Sequence, residues 1–415
     1  MRPTCKANND GKKWSNILIY DRSVEPGVNI SSVMVAALLA SVALFSYRLG
    51  TAPITWFFSF MLLCSCFLNS KFLAISPACV VWFVCSSFVF IVSMLASVDV
   101  NFNVLSAVVT MGFTLTLGGI LYSLFIRGIY YPLIWLPAGY SISVIVATLA
   151  NQSGERFTAG FYNATHTSFL AYASIVILFY LLKKRGARLW SLPLWGLSLY
   201  GMFASGSRGG VVALFIFASV YCLLSVNAKI RVPLFMIGVV FLFFIKTIAA
   251  ATVSFLHENM FDAVLVRRIV RLLESAFLGM ESDGSYDTRS QLLDAAFRIF
   301  LDNPVLGVGL DNVRYYMEDF GVRETYTHSA YLELLAGAGL LGFIVYCSIF
   351  VILFYKLVKS YSSRCFESLF AVSLLLSILV SMFFRMSYYH FADAVLVAIV
   401  MALALKLNSI RFSKC

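Results

Sequence analysis

Three residues have types and surroundings suited to chemistry: Arg208, Arg289 and His328. Arg208 lies in Ala204-Ser205-Gly206-Ser207-Arg208-Gly209-Gly210, between two apolar runs. Glycines there let backbone approach a ligand, and exposed amides with an arginine fork suit a phosphate. The alternative is a tight loop whose arginine reaches towards lipid phosphates. Arg289 opens a helix predicted over Arg289–Leu301, stopped by Asn303-Pro304 and followed by a glycine-bearing turn, Gly307-Val308-Gly309. A helix N-terminus beside an arginine favours an anion; an ion pair with Asp287 or Asp294 is the competing explanation. His328 stands among Tyr326, Thr327 and Ser329, just before a long apolar run. A neutral imidazole there can take a proton from a hydroxyl, or simply cap the helix that follows.

Other polar residues gather around these. Glu333 is a charge just inside the run after His328, and intramembrane acids are candidates for function or for pairing with an arginine. The stretch Glu155–His166, with Arg156 and Asn163, is polar for its position; it lines a cavity or packs helices. Residues 259–277 carry apolar residues at helical spacing, with Arg267, Arg268 and Arg271 on the other face. That pattern predicts an amphipathic interfacial helix. Two further short helices are expected, over Asp287–Leu301 and Asp311–Phe320, joined through a glycine- and acid-rich link at 279–287. The nine cysteines show neither metal-ligand spacing nor a disulfide framework, and none lies between His257 and Tyr326.

The elements positioning these residues are membrane spans. The chain is 60% hydrophobic and 12% charged, where a soluble domain carries roughly a quarter charged residues. Apolar stretches fall near 31–47, 52–70, 72–97, 102–126, 129–150, 157–182, 189–205, 209–226, 232–254, 330–355, 366–384 and 391–405. They predict an all-α integral membrane protein of about twelve transmembrane helices and one large helical loop. The expected units are residues 1–254, a bundle of about nine spans; 255–328, the loop; and 329–415, about three further spans. The polar, basic N-terminus shows no cleavage pattern, so the first span is expected to be retained.

The net charge of +11 is explained by topology rather than by nucleic acid. Short loops on one side carry Lys183, Lys184, Arg185, Arg188, Lys356, Lys359, Lys406 and Arg411; those on the other carry only Arg48, Arg156, Arg208 and Arg385. This asymmetry predicts cytoplasmic termini and a large loop facing outward. Outward arginines oppose that bias, and as a cluster they suit an anionic ligand such as a diphosphate.

Taken together, Ser205–Gly210, the TRSQLLDAAFRIFLDNPVLGVGL segment and THSAYLELLAGAGLLG resemble the family of O-antigen ligases and O-antigen or exopolysaccharide polymerases. The resemblance extends to Arg156…Gly160…Asn163 and spans roughly Glu155 to Phe343. Two positions depart from the family pattern: Asn163-Ala164-Thr165 replaces the usual Asn-Pro-Asn, and Ser329 the commoner Asn. The resemblance implies a metal-independent glycosyltransferase of the bacterial inner membrane, without cofactor. Its large loop would be periplasmic. The donor would be a glycan on undecaprenyl diphosphate, and the acceptor a lipid-linked glycan (polymerase) or the lipid A core (ligase). A chain-length regulator is a further possible partner. Arg208 and Arg289 would stabilise the leaving diphosphate, and His328 would be the base. Arg156, Asn163, Arg267, Arg268, Arg271 and Glu333 would contact substrate. The His-Ser-x-Tyr-Leu-Glu form favours a polymerase. A lipid-linked glycan transporter is the reading from another class; it expects midplane charges and internal repeats, whereas only Lys246 lies deep in an apolar run.

Overall fold

The computed structural model describes residues 32–40, 76–95, 103–149, 164–185, 191–205, 207–227, 250–256, 285–322, 326–362, 365–385 and 390–412, with a few scattered positions between 230 and 270. The stretch at 52–70, most of 232–254, the amphipathic helix over 259–277, and Arg156, Asn163, Arg267, Arg268 and Arg271 lie outside them, as does the polar N-terminus. Of the first expected span, residues 32–40 are helical.

All regular structure among the described residues is helical. In order it includes α1 (Pro77–Leu95), α2 (Asn103–Ile126), α3 (Trp135–Leu149), α4 (Ala164–Arg185), α5 (Leu192–Ala204), α6 (Arg208–Ser225), α7 (Ser285–Asp302), α8 (Val313–Tyr316), α9 (Ala330–Lys359), α10 (Phe366–Ser381) and α11 (Phe391–Phe412). Among the described residues, six stretches are long and apolar enough to cross a bilayer, and α5, α10 and Gly209–Ser225 are shorter apolar helices. Helices satisfy every backbone group internally, which lipid demands. Within α2, Thr110, Thr114 and Thr116 each donate to the carbonyl four residues back, at 2.7, 2.8 and 2.8 Å, so their hydroxyls cost little in an apolar setting. The chain is a multi-pass membrane protein, all-helical among the described residues.

One hydrophobic core runs through the bundle and draws residues from both sides of the long loop, from Leu38 and Leu117 to Leu374 and Leu403. Packing between α2 and α11 is tight because Gly118 leaves room for Met401; a Cβ at 118 would lie 2.7 Å from its sulfur. At one end of the bundle, Glu367 of α10 forms a buried network with Lys406, 2.8 Å away, and Lys184, and Lys406 also donates to the Tyr130 hydroxyl at 2.9 Å. The N-termini of α4, α6, α9 and α11 lie at the other end.

The long α9 departs from the single straight span expected at 330–355. It is broken at Gly339, which has φ 64° and ψ −173°. The Asn303–Leu310 loop splints the break. Amides of Val308 and Gly309 donate to the carbonyls of Ala336 and Gly337 at 2.9 and 2.8 Å, while amides of Leu340 and Leu341 donate to those of Pro304 and Val305 at 2.8 and 3.3 Å. The four backbone groups of two interrupted helix bonds are thus satisfied from the loop. The glycines make this approach possible: a Cβ at Gly307 would strike the Gly337 backbone, and one at Gly339 the Val305 carbonyl. Ser93 of α1 completes the seam, donating to the carbonyls of Gly337 and Leu306 at 2.8 and 3.1 Å. A small second core of Leu292, Ala296, Ile299, Val308, Met317 and Ala336 fastens α7 to the same half of α9.

Candidate functional site

The helix carrying Arg289 begins at Ser285, earlier than expected. Asp287, read as part of the link, lies in its first turn, where an acid is favoured. Arg289 therefore opens the second turn rather than the first. Asp294, one of its possible partners, pairs instead with Arg298 at 2.9 Å.

His328 is presented by a braced turn. Its φ of 57° is left-handed, a conformation shared among non-glycine described residues only with Asp311, at 66°. Thr327, Ser329 and Glu333 around it are buried, whereas His328 itself is exposed. The Thr327 hydroxyl donates to the Ser329 carbonyl at 2.9 Å and accepts the Ser329 N–H at 3.2 Å. Glu333, fully buried, accepts the Thr327 N–H at 3.2 Å. The polar residues flanking the histidine thus point inward and turn it outward. Such an enforced backbone conformation is a marker of function.

The His328 ring reaches solvent, yet the protein around it removes enough water to lower its pKa below the ordinary 6.5; the positive charge of Arg289 is the second cause. The structure therefore brings Arg289 and His328 together, and both effects keep the imidazole in its neutral, proton-accepting form. Replacing Arg289 by glutamine removes one of the two. The acid limb of a His328-dependent pH–rate profile is expected to move up towards 6.5, but not reach it, because desolvation remains.

Arg208 is the first residue of α6, after Ser207 in extended backbone (φ −90°, ψ 126°). Ser205 braces the preceding turn, accepting the Ser207 N–H at 3.2 Å and donating to the Met202 carbonyl at 2.7 Å. The glycines after Arg208 serve helix packing: a Cβ at Gly210 would meet the Ser168 backbone, and one at Gly209 the Phe169 ring at 3.0 Å. The Ser168 hydroxyl also donates to the Ser207 carbonyl at 3.2 Å. So α6 begins hard against the first turns of α4. Phe169 in turn meets Arg385, whose carbonyl accepts the Ala330 N–H at 3.0 Å. Contiguous contacts therefore join the start of α6 to the turn bearing His328.

Arg385 was grouped by sequence with the anion-binding arginines; it is instead buried and paired with Asp393. Glu333, expected to contact substrate, is enclosed and holds the histidine turn. Replacing Glu333 by leucine leaves the Thr327 N–H buried without a partner, at a cost of about 1–3 kcal/mol. Thermal unfolding in detergent should show that loss, and Glu333→Gln, which keeps an acceptor oxygen, should show less. Sequence reasoning missed the part played by Thr327 and Ser329; their small hydroxyls on either side of a histidine were the available signal. Among the described residues no group of three or more His, Cys, Asp or Glu could hold a metal ion.

Helices of spanning length around a braced histidine beside an arginine define a membrane protein with a polar candidate site at one end of its bundle. Residues 192–347 match the family model described as "O-Antigen ligase". The chain is also similar to the teichuronic acid biosynthesis protein TuaE of Bacillus subtilis (strain 168), with 26% identity over 219 residues. That match covers 50% of this chain and 42% of the relative, so less than half of the relative's length is spanned. The two findings support the O-antigen ligase and polymerase family for this chain. The matched region contains Arg208, Arg289, His328 and the whole splinted break.

Proposed function

We propose that the protein is a glycosyltransferase that moves a glycan from undecaprenyl diphosphate to an acceptor sugar hydroxyl at the periplasmic face of a bacterial inner membrane, and that it acts as a polymerase of surface polysaccharide. The observation that carries this reading is the placement of His328, turned outward and kept neutral, beside Arg289. In the transfer step the acceptor oxygen attacks the anomeric carbon and the bond from that carbon to the diphosphate oxygen breaks. His328 receives the hydroxyl proton. The diphosphate keeps the electron pair, and Arg208 and Arg289 bind its charge as it develops. Arginines supply that stabilisation without a metal. Arg156, Asn163, Arg267, Arg268 and Arg271 are proposed to guide the lipid-linked substrate.

The topology belongs to the same proposal: about twelve spans, cytoplasmic termini and a periplasmic loop, as the uneven placement of basic residues favours. A relative named for teichuronic acid biosynthesis favours chain building over attachment. The ligase reading, transfer of a finished chain to lipid A core, uses the same residues and is favoured by the description of the matching family. A gel of surface polysaccharide from a strain lacking the protein separates them. Core bearing a single repeat unit is expected for a polymerase, because attachment persists without extension. Bare core with long chains held on the lipid carrier would establish the ligase instead, and an unchanged ladder would overturn both.

A further inference from the structure

The first amide of a helix normally needs a cap. Ser329 at the start of α9 makes no side-chain cap. The Ala330 N–H goes instead to two carbonyls of the turn after α10, those of Met382 at 2.8 Å and Arg385 at 3.0 Å. Ala330 is two residues from His328, so that turn fixes where the helix bearing the histidine begins. The Tyr331 hydroxyl adds a second tie, donating to the Leu379 carbonyl at 2.7 Å.

The turn is itself held from inside the bundle. The Arg385 side chain points inward and is 4% exposed. Its guanidinium pairs with Asp393 in the first turn of α11 and lies 3.3 Å from the centre of the Phe169 ring of α4. A buried arginine is tolerated only when paired, and this one is paired by a residue on a different helix. It therefore locks α4, α10 and α11 to one another directly beneath the start of α9. Its burial and its carboxylate partner leave it no access to a diphosphate.

We infer that Arg385 is a positioning residue for His328: held between Asp393 and Phe169, it fixes the turn whose carbonyls set the start of α9 and hence the direction in which the histidine leaves it. This rests on the reading of His328 as the base, but it can fail separately. Arg385 acts through backbone, so its loss should misplace His328 relative to Arg289 without removing any group that touches substrate.

Removing Arg385 alone would strand a buried carboxylate and risks unfolding. The informative protein is therefore the double variant Arg385→Met/Asp393→Asn, full length in detergent micelles, with Arg385→Lys beside it. Two quantities are read: transfer kinetics with a lipid-linked glycan, and the titration of His328 by exchange of its ring C2 proton, followed by mass spectrometry. The expected result for the double variant is kcat lower by about 10- to 100-fold, as misplacement by about an ångström can cost, with KM for the donor nearly unchanged. The His328 titration should move up towards 6.5 as Arg289 becomes more distant, and Arg385→Lys should restore part of both. An unshifted His328 titration would overturn the proposal whatever the rate. A shifted titration with an unchanged kcat would leave Arg385 as the positioning residue and remove His328 as the base.

Discussion

Replacing His328 by alanine is expected to abolish glycan transfer while the protein remains in the membrane at its normal level. The side chain is exposed and makes none of the bonds that hold its turn; those belong to Thr327, Ser329 and Glu333. Truncation therefore removes chemistry and leaves the fold. Loss of a general base costs about 10²- to 10⁴-fold in rate. Alanine also accepts a left-handed φ less readily than histidine does. Asparagine, which tolerates φ near 57° and lacks a base, is the better control, and it should be equally inactive. Quantitative immunoblotting of membranes beside a polysaccharide gel checks both expectations; a normal ladder from either variant would remove His328 from the reaction.

The second large effect lies away from the chemistry. Gly339→Ala is expected to eliminate activity and lower the unfolding temperature. A φ of 64° with ψ −173° is backbone that essentially only glycine adopts, and forcing another residue there costs about 1–3 kcal/mol. The added carbon would also collide with the Val305 carbonyl, which accepts the Leu341 N–H. To escape, the loop must withdraw, and the four backbone bonds that bridge the break are lost. Because the loop continues directly from α7, its withdrawal carries Arg289 away from His328. Gly196→Ala in α5, where nothing lies within 4 Å of the added carbon, is the matched control and should be neutral. Thermal unfolding and transfer assays on the pair would show whether the break is needed.

These two residues also mark how much could be read from the sequence. Asn303-Pro304 ends α7 at Asp302, one residue past the expected Leu301, because proline cannot continue a helix. Among the described residues the apolar runs locate the helices, because lipid leaves the backbone few options. The polar frame of His328 was visible as Thr327 and Ser329, though not their inward direction. The break at Gly339 was not legible: Ala336–Gly342 is apolar and small, and reads as uninterrupted helix. What breaks it is a loop some thirty residues earlier in the chain, a tertiary effect that local pattern does not carry. Arg385 was misread for a related reason. Its position at a span end suggested solvent, but Asp393 and Phe169, distant in sequence, draw it inward. The start of α7 was placed late because Gly284 and the acids before it resemble a linker, while Asp287 serves the first helical turn.

The most direct measurement is transfer by the purified protein in liposomes, given an undecaprenyl-diphosphate-linked repeat unit in the presence of a chelator. Growth of the glycan, lost on substituting His328, Arg208 or Arg289, is the expected result. Movement of the lipid-linked glycan across the bilayer without any new glycosidic bond would contradict the enzyme reading and establish a transporter.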